Sequence, residues 1–335
     1  MTDPQDARDA LTVSVSRGDL VESVHRVAAC AVDARNDVLY RAGDIEALVY
    51  LRSTAKPLIA AAIVEAGAGV RFGLDPREIA VIAASHSGEP YHVLAVLSIL
   101  EKIGMEVSAL QCGVHAPYDE RAAEELRRAG IEPTAVHNNC SGKHAGILAL
   151  CKILGADTAT YLSAENPAQR YILEFCARLS DDDASSWPLG GDGCGIPVYA
   201  TSFRKAALSF ARLATLEGVS EQDARALEAV RDAMAAHPEY VSGTAQIDTE
   251  IMRVGEGTLV AKAGAEGVHG IAARDKGFGY ISKVLDGGAR ARGPSTVAAL
   301  RDLGALSEEQ VAKLARFAHP TVYNRAGRAV GEIFV

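Results

Sequence analysis

Two serine–lysine pairs at i, i+3 spacing could supply a nucleophile and its base. They are Ser53–Lys56 in LRSTAKPLIAAAIVEAG (51–67) and Ser202–Lys205 in TSFRKAALSFARL (201–213). On a helix this spacing puts both side chains on one face, where a neutral amine can accept the hydroxyl proton. The contexts differ. Ser53 follows ALVYLR (47–52), which reads as a strand, and it opens a helix whose unpaired N–H groups and positive dipole end would stabilise a developing oxyanion. The apolar run from Pro57 to Val64 would desolvate Lys56 and lower its pKa. Ser202–Lys205 has Arg204 inside the motif and no strand expected to lead into it, so it reads as a helix cap beside a solvated lysine.

Further candidates lie downstream. IAVIAASHSGEP (79–90) is an apolar segment ending in Ser85-His86-Ser87-Gly88, and LVAKAGAEGV (259–268) is an apolar strand that presents Lys262. S-x-x-K, S-x-S and K-x-G in this order resemble the three active-site elements of the penicillin-recognising serine enzymes, with Ser87 and Ala263 where those usually carry Asn and Thr. The shared chemistry is acyl transfer through an acyl-serine.

VHNNCSGKHAGILALCKILG (136–155) crowds polar residues, His137 to His144, onto the start of an apolar helix. PLGGDGCGIP (188–197) places Asp192 and Cys194 in a glycine-rich loop. Cys140 and Cys194, with a nitrogen donor from Lys143 or His144, could form a zinc-type site with an open position. Cys112-x-x-His115 is a rival pair, but no second pair stands at finger spacing.

The elements that must hold these residues follow from periodicity. VHRVAACAVDARNDVLYRAG (24–43) reads as a hairpin turning at 34–37. Helical spacing covers 54–66, 91–103, 119–129, 141–154, 167–179, 201–216 and 220–236, with Asn166-Pro167 and Ser220 as caps. Strands return over 257–267, 277–288 and the terminal RAVGEIFV, with helices at 294–303 and 307–318 between the last two. The economical packing is one α/β domain over 1–335, with an antiparallel sheet from ~12–52 and ~257–335, flanking helices and a helical middle lobe over ~54–240. The G-x-G-x-x-G fingerprint of a doubly wound nucleotide fold is missing after the first strand.

Composition narrows the function. A net charge of −9 with only 5% aromatic residues disfavours nucleic-acid partners. No stretch of about 20 apolar residues could span a bilayer. The acidic start, MTDPQDARDALTVSV, lacks the basic and apolar regions of a signal peptide, so a cytoplasmic protein is expected. Cys30, Cys112, Cys140, Cys151, Cys176 and Cys194 are then expected as buried thiols or ligands rather than disulfides.

LRSTAKP, ASHSGE, HNNCSGKHAG, GDGCGIP, HPEYVSGT and AKAGAEGV together resemble the Rhizobium-type, third class of L-asparaginases, from about residue 15 to the C-terminus. The resemblance implies a serine β-lactamase-like fold, a homodimer, and hydrolysis of L-asparagine to L-aspartate and ammonia. It also implies two serine–lysine pairs, Ser53–Lys56 and Ser85–Lys262, and zinc held by Cys140, Lys143 and Cys194. Ser53 is then the expected nucleophile and Lys56 its base. Arg52 is a candidate for the substrate α-carboxylate and Asp192 for its α-ammonium, each through a charge-assisted contact, with His144 a further substrate-binding residue. Two other functions fit the same residues: another cytoplasmic serine amidase, esterase or β-lactam hydrolase, and a non-catalytic amino-acid-binding zinc protein.

Overall fold

The computed structural model describes residues 9–335, so most of the acidic N-terminal segment, residues 1–8, lies outside the described residues. Contacts divide the chain into two compact units. One holds the residues up to Thr54, 200–218 and 250–335, and the other holds 55–199 and 219–249.

The first unit is built on an antiparallel sheet from both chain ends, as expected. Its strands are β1 (Leu11–Arg17), β2 (Leu20–Asp33), β3 (Val38–Ala42), β7 (Leu259–Ala263), β8 (Val268–Ala273), β9 (Phe278–Val284), β10 (Thr321–Tyr323) and β11 (Ala329–Phe334). The order is β10-β11-β1-β2-β9-β8-β7, with β3 also paired to β2. The expected hairpin is β2–β3, whose partners run from Ala29↔Ala42 to Val32↔Val38. The helix Phe203–Thr215 lies on β2, β8 and β9. Covered by that helix, β8 is buried at all six positions, so VHGIAA shows no alternation and was not separable by pattern from its neighbours. The short strand β4 (Leu48–Tyr50) pairs with the Ala200–Ser202 end of β6 (Pro197–Ser202). A strand therefore does run into Ser202, contrary to expectation. Ser202 Oγ nevertheless accepts from Lys205 N at 3.3 Å, the capping role expected of it.

The second unit is mostly helical. Its central helix, Lys56–Glu65, is buried at every position from Lys56 to Ile63. An apolar helix without a polar face must be surrounded, and helices Ser141–Leu154, Pro167–Leu179 and Glu221–Ala236 pack around it. Truncating Leu58, which is fully buried, to alanine would cost about 2–5 kcal/mol. The expected caps are present: Asn166 Oδ1 accepts from Ala168 N at 2.9 Å and Ser220 Oγ from Asp223 N at 3.1 Å. β5 (Leu189–Gly191) pairs with the Pro197–Tyr199 end of β6, which closes the glycine-rich loop between them. Helix Pro76–Ile82 opens on a capping box, with Asp75 Oδ1 accepting from Glu78 N while Glu78 Oε2 accepts from Asp75 N. Helix Ser141–Leu154 approaches it so closely that a Cβ on Gly142 would stand 2.1 Å from the Val81 carbonyl oxygen. Only glycine fits there, and this approach brings the Cys140 end of one helix beside the Ala84–Ser85 end of the other.

In the first unit, the single helix expected over 307–318 is two short ones, Glu308–Lys313 and Ala315–Ala318, broken at Leu314.

Candidate active site

Lys56 is the first residue of the central helix, so its amine emerges at the helix start while its stem stays in the core. Nζ donates to the Ala84 carbonyl at 2.7 Å, to Ser85 Oγ at 2.9 Å and to Cys140 Sγ at 3.2 Å. Burial draws the Lys56 pKa below its ordinary value, with the Lys143 charge acting the same way against the partial compensation of Cys140. A buried lysine whose pKa is drawn down is a candidate for a general base.

Ser85 follows the helix Pro76–Ile82, and its N–H donates to the Val241 carbonyl at 2.9 Å. The next residue, His86, donates its N–H to the Asn139 carbonyl at 3.2 Å, and its Nε2 lies 2.9 Å from Ser141 Oγ. The segments 84–86 and 139–141 are thus stitched together by backbone and side chain.

Ser53 lies in the 3-10 turn Arg52–Ala55 that runs into the central helix. The cap of that helix is Ala55, with no side-chain hydrogen bond. Ser53 is therefore not spent on capping, unlike Ser202, and this separates two motifs identical in pattern. Lys262 sits in β7 with its side chain fully buried, and Nζ donates to the Ala263 carbonyl at 2.6 Å.

Cys140, Lys143 and Cys194 come together. Lys143 Nζ lies 3.0 Å from Cys194 Sγ, and both cysteines and the lysine are buried. A hydrogen bond from Cys194 holds the Cys140 thiol well below its usual range, reinforced against burial by the charges of Lys56 and Lys143. The same contact and burial push Cys194 up. Burial opposes the charged form of Lys143, but Cys140, Cys194 and Asp192 outweigh it and raise its pKa. Among the described residues no group of three or more His, Cys, Asp or Glu side chains is arranged to hold a metal ion. The cluster here is two thiols and an amine. Cys112 and His115 do not form a second site, since Cys112 Sγ is 3.4 Å from the Ala135 carbonyl and His115 Nε2 accepts from Asn139 N at 3.0 Å. All six cysteines are free and buried.

His144, one residue on, turns away to Tyr161, whose hydroxyl is 2.7 Å from Nδ1. That hydroxyl also accepts from Gln111 N at 2.7 Å. Nε2 is buried without a partner among the described residues, and burial holds the ring's pKa well below its ordinary value. Asp192 accepts from Gly193 N at 2.8 Å within its own loop and exerts its charge on Lys143. Arg52 has φ +48°, a strained backbone for a non-glycine residue, and lines a cleft with Glu266 and Lys283.

Sequence reasoning passed over Glu89. Its buried carboxylate accepts from Ser87 Oγ (2.9 Å), Tyr91 OH (3.0 Å), Thr244 N (2.7 Å) and Thr244 Oγ1 (2.9 Å). Against the cost of burial, the Thr244 bonds and then those of Ser87 and Tyr91 keep its pKa below the ordinary glutamate value. The available signal was a glutamate directly before Pro90, at a helix start that follows ASHSG.

No described helix is long and apolar enough to cross a membrane. A family model described as L-asparaginase II matches residues 13–335. No protein with a curated description matches the chain. Among solved structures, a β-lactamase from Mycobacterium bovis is 16% identical, with a TM-score of 0.42 over 83% of this chain and 94% of that one. A β-lactamase from Sphaerobacter thermophilus is 16% identical, with a TM-score of 0.40 over 84% of this chain and 93% of that one. Mglu is 15% identical, with a TM-score of 0.37 over 83% of this chain and 60% of that one. These are distant likenesses.

Proposed function

The chain belongs to the L-asparaginase II family, and from that premise we propose that it hydrolyses L-asparagine to L-aspartate and ammonia through an acyl-serine. The observation that supports this most is the buried Lys56 amine, hydrogen-bonded to a serine hydroxyl and drawn down in pKa. Ser53 Oγ attacks the side-chain amide carbon while neutral Lys56, three residues on, takes its proton. The tetrahedral oxyanion is held by N–H groups at the helix start. Lysine returns the proton to the amide nitrogen, the C–N bond breaks and ammonia leaves. Water then attacks the acyl-serine ester, giving up a proton by the same route, and aspartate departs. Ser85 and Lys262 assist proton transfer. Arg52 receives the α-carboxylate, and His144 Nε2, a buried ring nitrogen with no partner among the described residues, offers a further contact.

A second reading exchanges the serines. Lys56 is bonded to Ser85 itself, so Ser85 as nucleophile has its base in place at 2.9 Å. Trapping the acyl-enzyme and locating it by peptide mass spectrometry decides between them.

The donor set Cys140, Lys143 and Cys194 fits a zinc ion, since two thiols and an amine converge in a buried site and Cys140 is already inclined to the thiolate. When bound, the ion would cross-link the start of the Ser141–Leu154 helix to the Asp192–Cys194 loop. Lys143 must lose its proton to join, so binding would favour higher pH. The reading is tested by ammonia release from asparagine and glutamine, with and without chelator. Absence of ammonia from either amide, with stoichiometric amino-acid binding, would favour a non-catalytic binding protein.

A further inference from the structure

The first unit contains a cleft of about 330 Å³ lined by Tyr50, Arg52, Phe203, Glu266, Val268 and Lys283, among others. Its walls are mainly apolar and its charged side chains are two cations and one carboxylate, arriving from three segments: the β4–Ser53 connection, the β7–β8 loop and β9. Lys283 is half-buried and donates to the Glu266 backbone carbonyl at 2.8 Å, which fixes its amine at the cleft. The Glu266 carboxylate rests against Gly287, where a Cβ would stand 2.4 Å from Oε2, and Gly287 has φ +77°. The backbone favours glycine there, and its lack of a side chain leaves room for the carboxylate.

Two further facts mark the cleft as built. Both Arg52 and Glu266 are non-glycine residues at positive φ, +48° and +59°, and such strain persists only where the surroundings enforce it. The β7–β8 loop is also packed on the Ser53 segment. A Cβ on Gly264 would lie 3.4 Å from Thr54 N, and Arg292 Nη1 donates to the Gly264 carbonyl at 3.0 Å. The loop that carries Glu266 is thus anchored one residue from Ser53.

We propose that this cleft is the subsite for the zwitterionic head of an α-amino-acid substrate, with Lys283 and Arg52 together holding the α-carboxylate and Glu266 the α-ammonium. This rests on the amidohydrolase reading above. It assigns the ammonium to Glu266 rather than to Asp192, whose carboxylate is engaged in its own turn and by the charge of Lys143. Two cations and one anion on an apolar wall complement a carboxylate next to an ammonium, and they reject an amide lacking either group.

The test compares wild type with Lys283→Met, Lys283→Arg and Glu266→Gln on three amides: asparagine, succinamate (no α-amino group) and β-alaninamide (no α-carboxylate). Lys283→Met should raise KM for asparagine and succinamate about tenfold, the size of one charge-assisted contact, with a smaller change in kcat and none for β-alaninamide. Lys283→Arg should restore most of it. Glu266→Gln should weaken asparagine but not succinamate. Unchanged KM ratios in a folded Lys283→Met enzyme would overturn the subsite while leaving the amidohydrolase reading intact. Should wild type release no ammonia from asparagine, the functional reading fails instead, and calorimetry with L-aspartate then judges the subsite. Binding that is lost in Lys283→Met and kept in Lys283→Arg supports it, and no binding by wild type overturns it.

Discussion

Lys56 and Ser85 stand amine to hydroxyl at 2.9 Å, 29 residues apart in sequence, and the same amine binds the carbonyl of Ala84 at 2.7 Å. The carbonyl fixes the direction of the amine, and burial favours its neutral form. Lys56→Met should therefore lower kcat by about 10²–10⁴-fold, the usual worth of a positioned general base. Lys56→Arg should not rescue it, because a guanidinium remains charged. An enzyme that kept most of its turnover after Lys56→Met would remove lysine from the mechanism.

Ser53 and Ser85 call for separate variants. With Ser53 as nucleophile, Ser53→Ala abolishes acyl-enzyme formation, whereas Ser85→Ala slows turnover without preventing covalent trapping. With Ser85 as nucleophile the pattern reverses. Rapid quench with asparagine, followed by mass spectrometry of each variant, reads the difference directly.

Glu89 ties the Ser87 segment to Thr244 through four accepted hydrogen bonds. Glu89→Gln would keep an acceptor at Oε1 for Ser87, Tyr91 and Thr244 N while its amide NH2 turns to Thr244 Oγ1. What it removes is the charge on these bonds, and it should cost about 1 kcal/mol at neutral pH. The folded-state pKa lies below the ordinary value of 4.5. Its stabilisation is therefore complete above that value and is lost as pH falls through the lower folded pKa. Urea midpoints for wild type and Glu89→Gln should differ at pH 7 and converge in acid. A gap that stays constant with pH would show that the carboxylate charge contributes nothing.

Ser202 offers a contrast to Ser53. Its hydroxyl caps the Phe203–Thr215 helix by accepting from Lys205 N. Ser202→Ala should cost about 1 kcal/mol of stability and leave kcat unchanged. A matching loss of activity would give the second motif a role the geometry does not.

The contrast also shows what was legible in the sequence. Pattern alone could not separate Ser53-x-x-Lys56 from Ser202-x-x-Lys205, because both begin helices and, in the structure, a strand leads into each. The apolar run after Lys56 did distinguish them, since only a helix without a polar face buries its first lysine. The both-ends sheet, the β2–β3 hairpin and the caps at Asn166 and Ser220 were readable for a local reason, turn and cap chemistry written within a few residues. β8 was not, because burial on both faces erases alternation. Glu89 and the Lys283–Glu266 cleft were also hidden. Their partners lie 155 residues away at Thr244 in one case, and across a loop and a strand in the other. The local signal at Glu89, a glutamate directly before Pro90, does not point to so distant a partner.

Zinc supplies the remaining test. Cys140 and Cys194 are buried beside Lys143, so a metal-loaded protein should carry about one zinc per chain by elemental analysis. Cys194→Ala removes one of the two proposed sulfur ligands and should abolish stoichiometric zinc. Because the ion would join a helix start to a loop, its loss should lower the melting temperature more than it lowers kcat. Lys143→Met should weaken zinc binding and also flatten its pH dependence, since the proton that Lys143 must shed is no longer released. Zinc retained at full stoichiometry in Cys194→Ala would place the metal elsewhere. Unchanged melting of wild type across a chelator titration that strips the ion would deny it the cross-linking role.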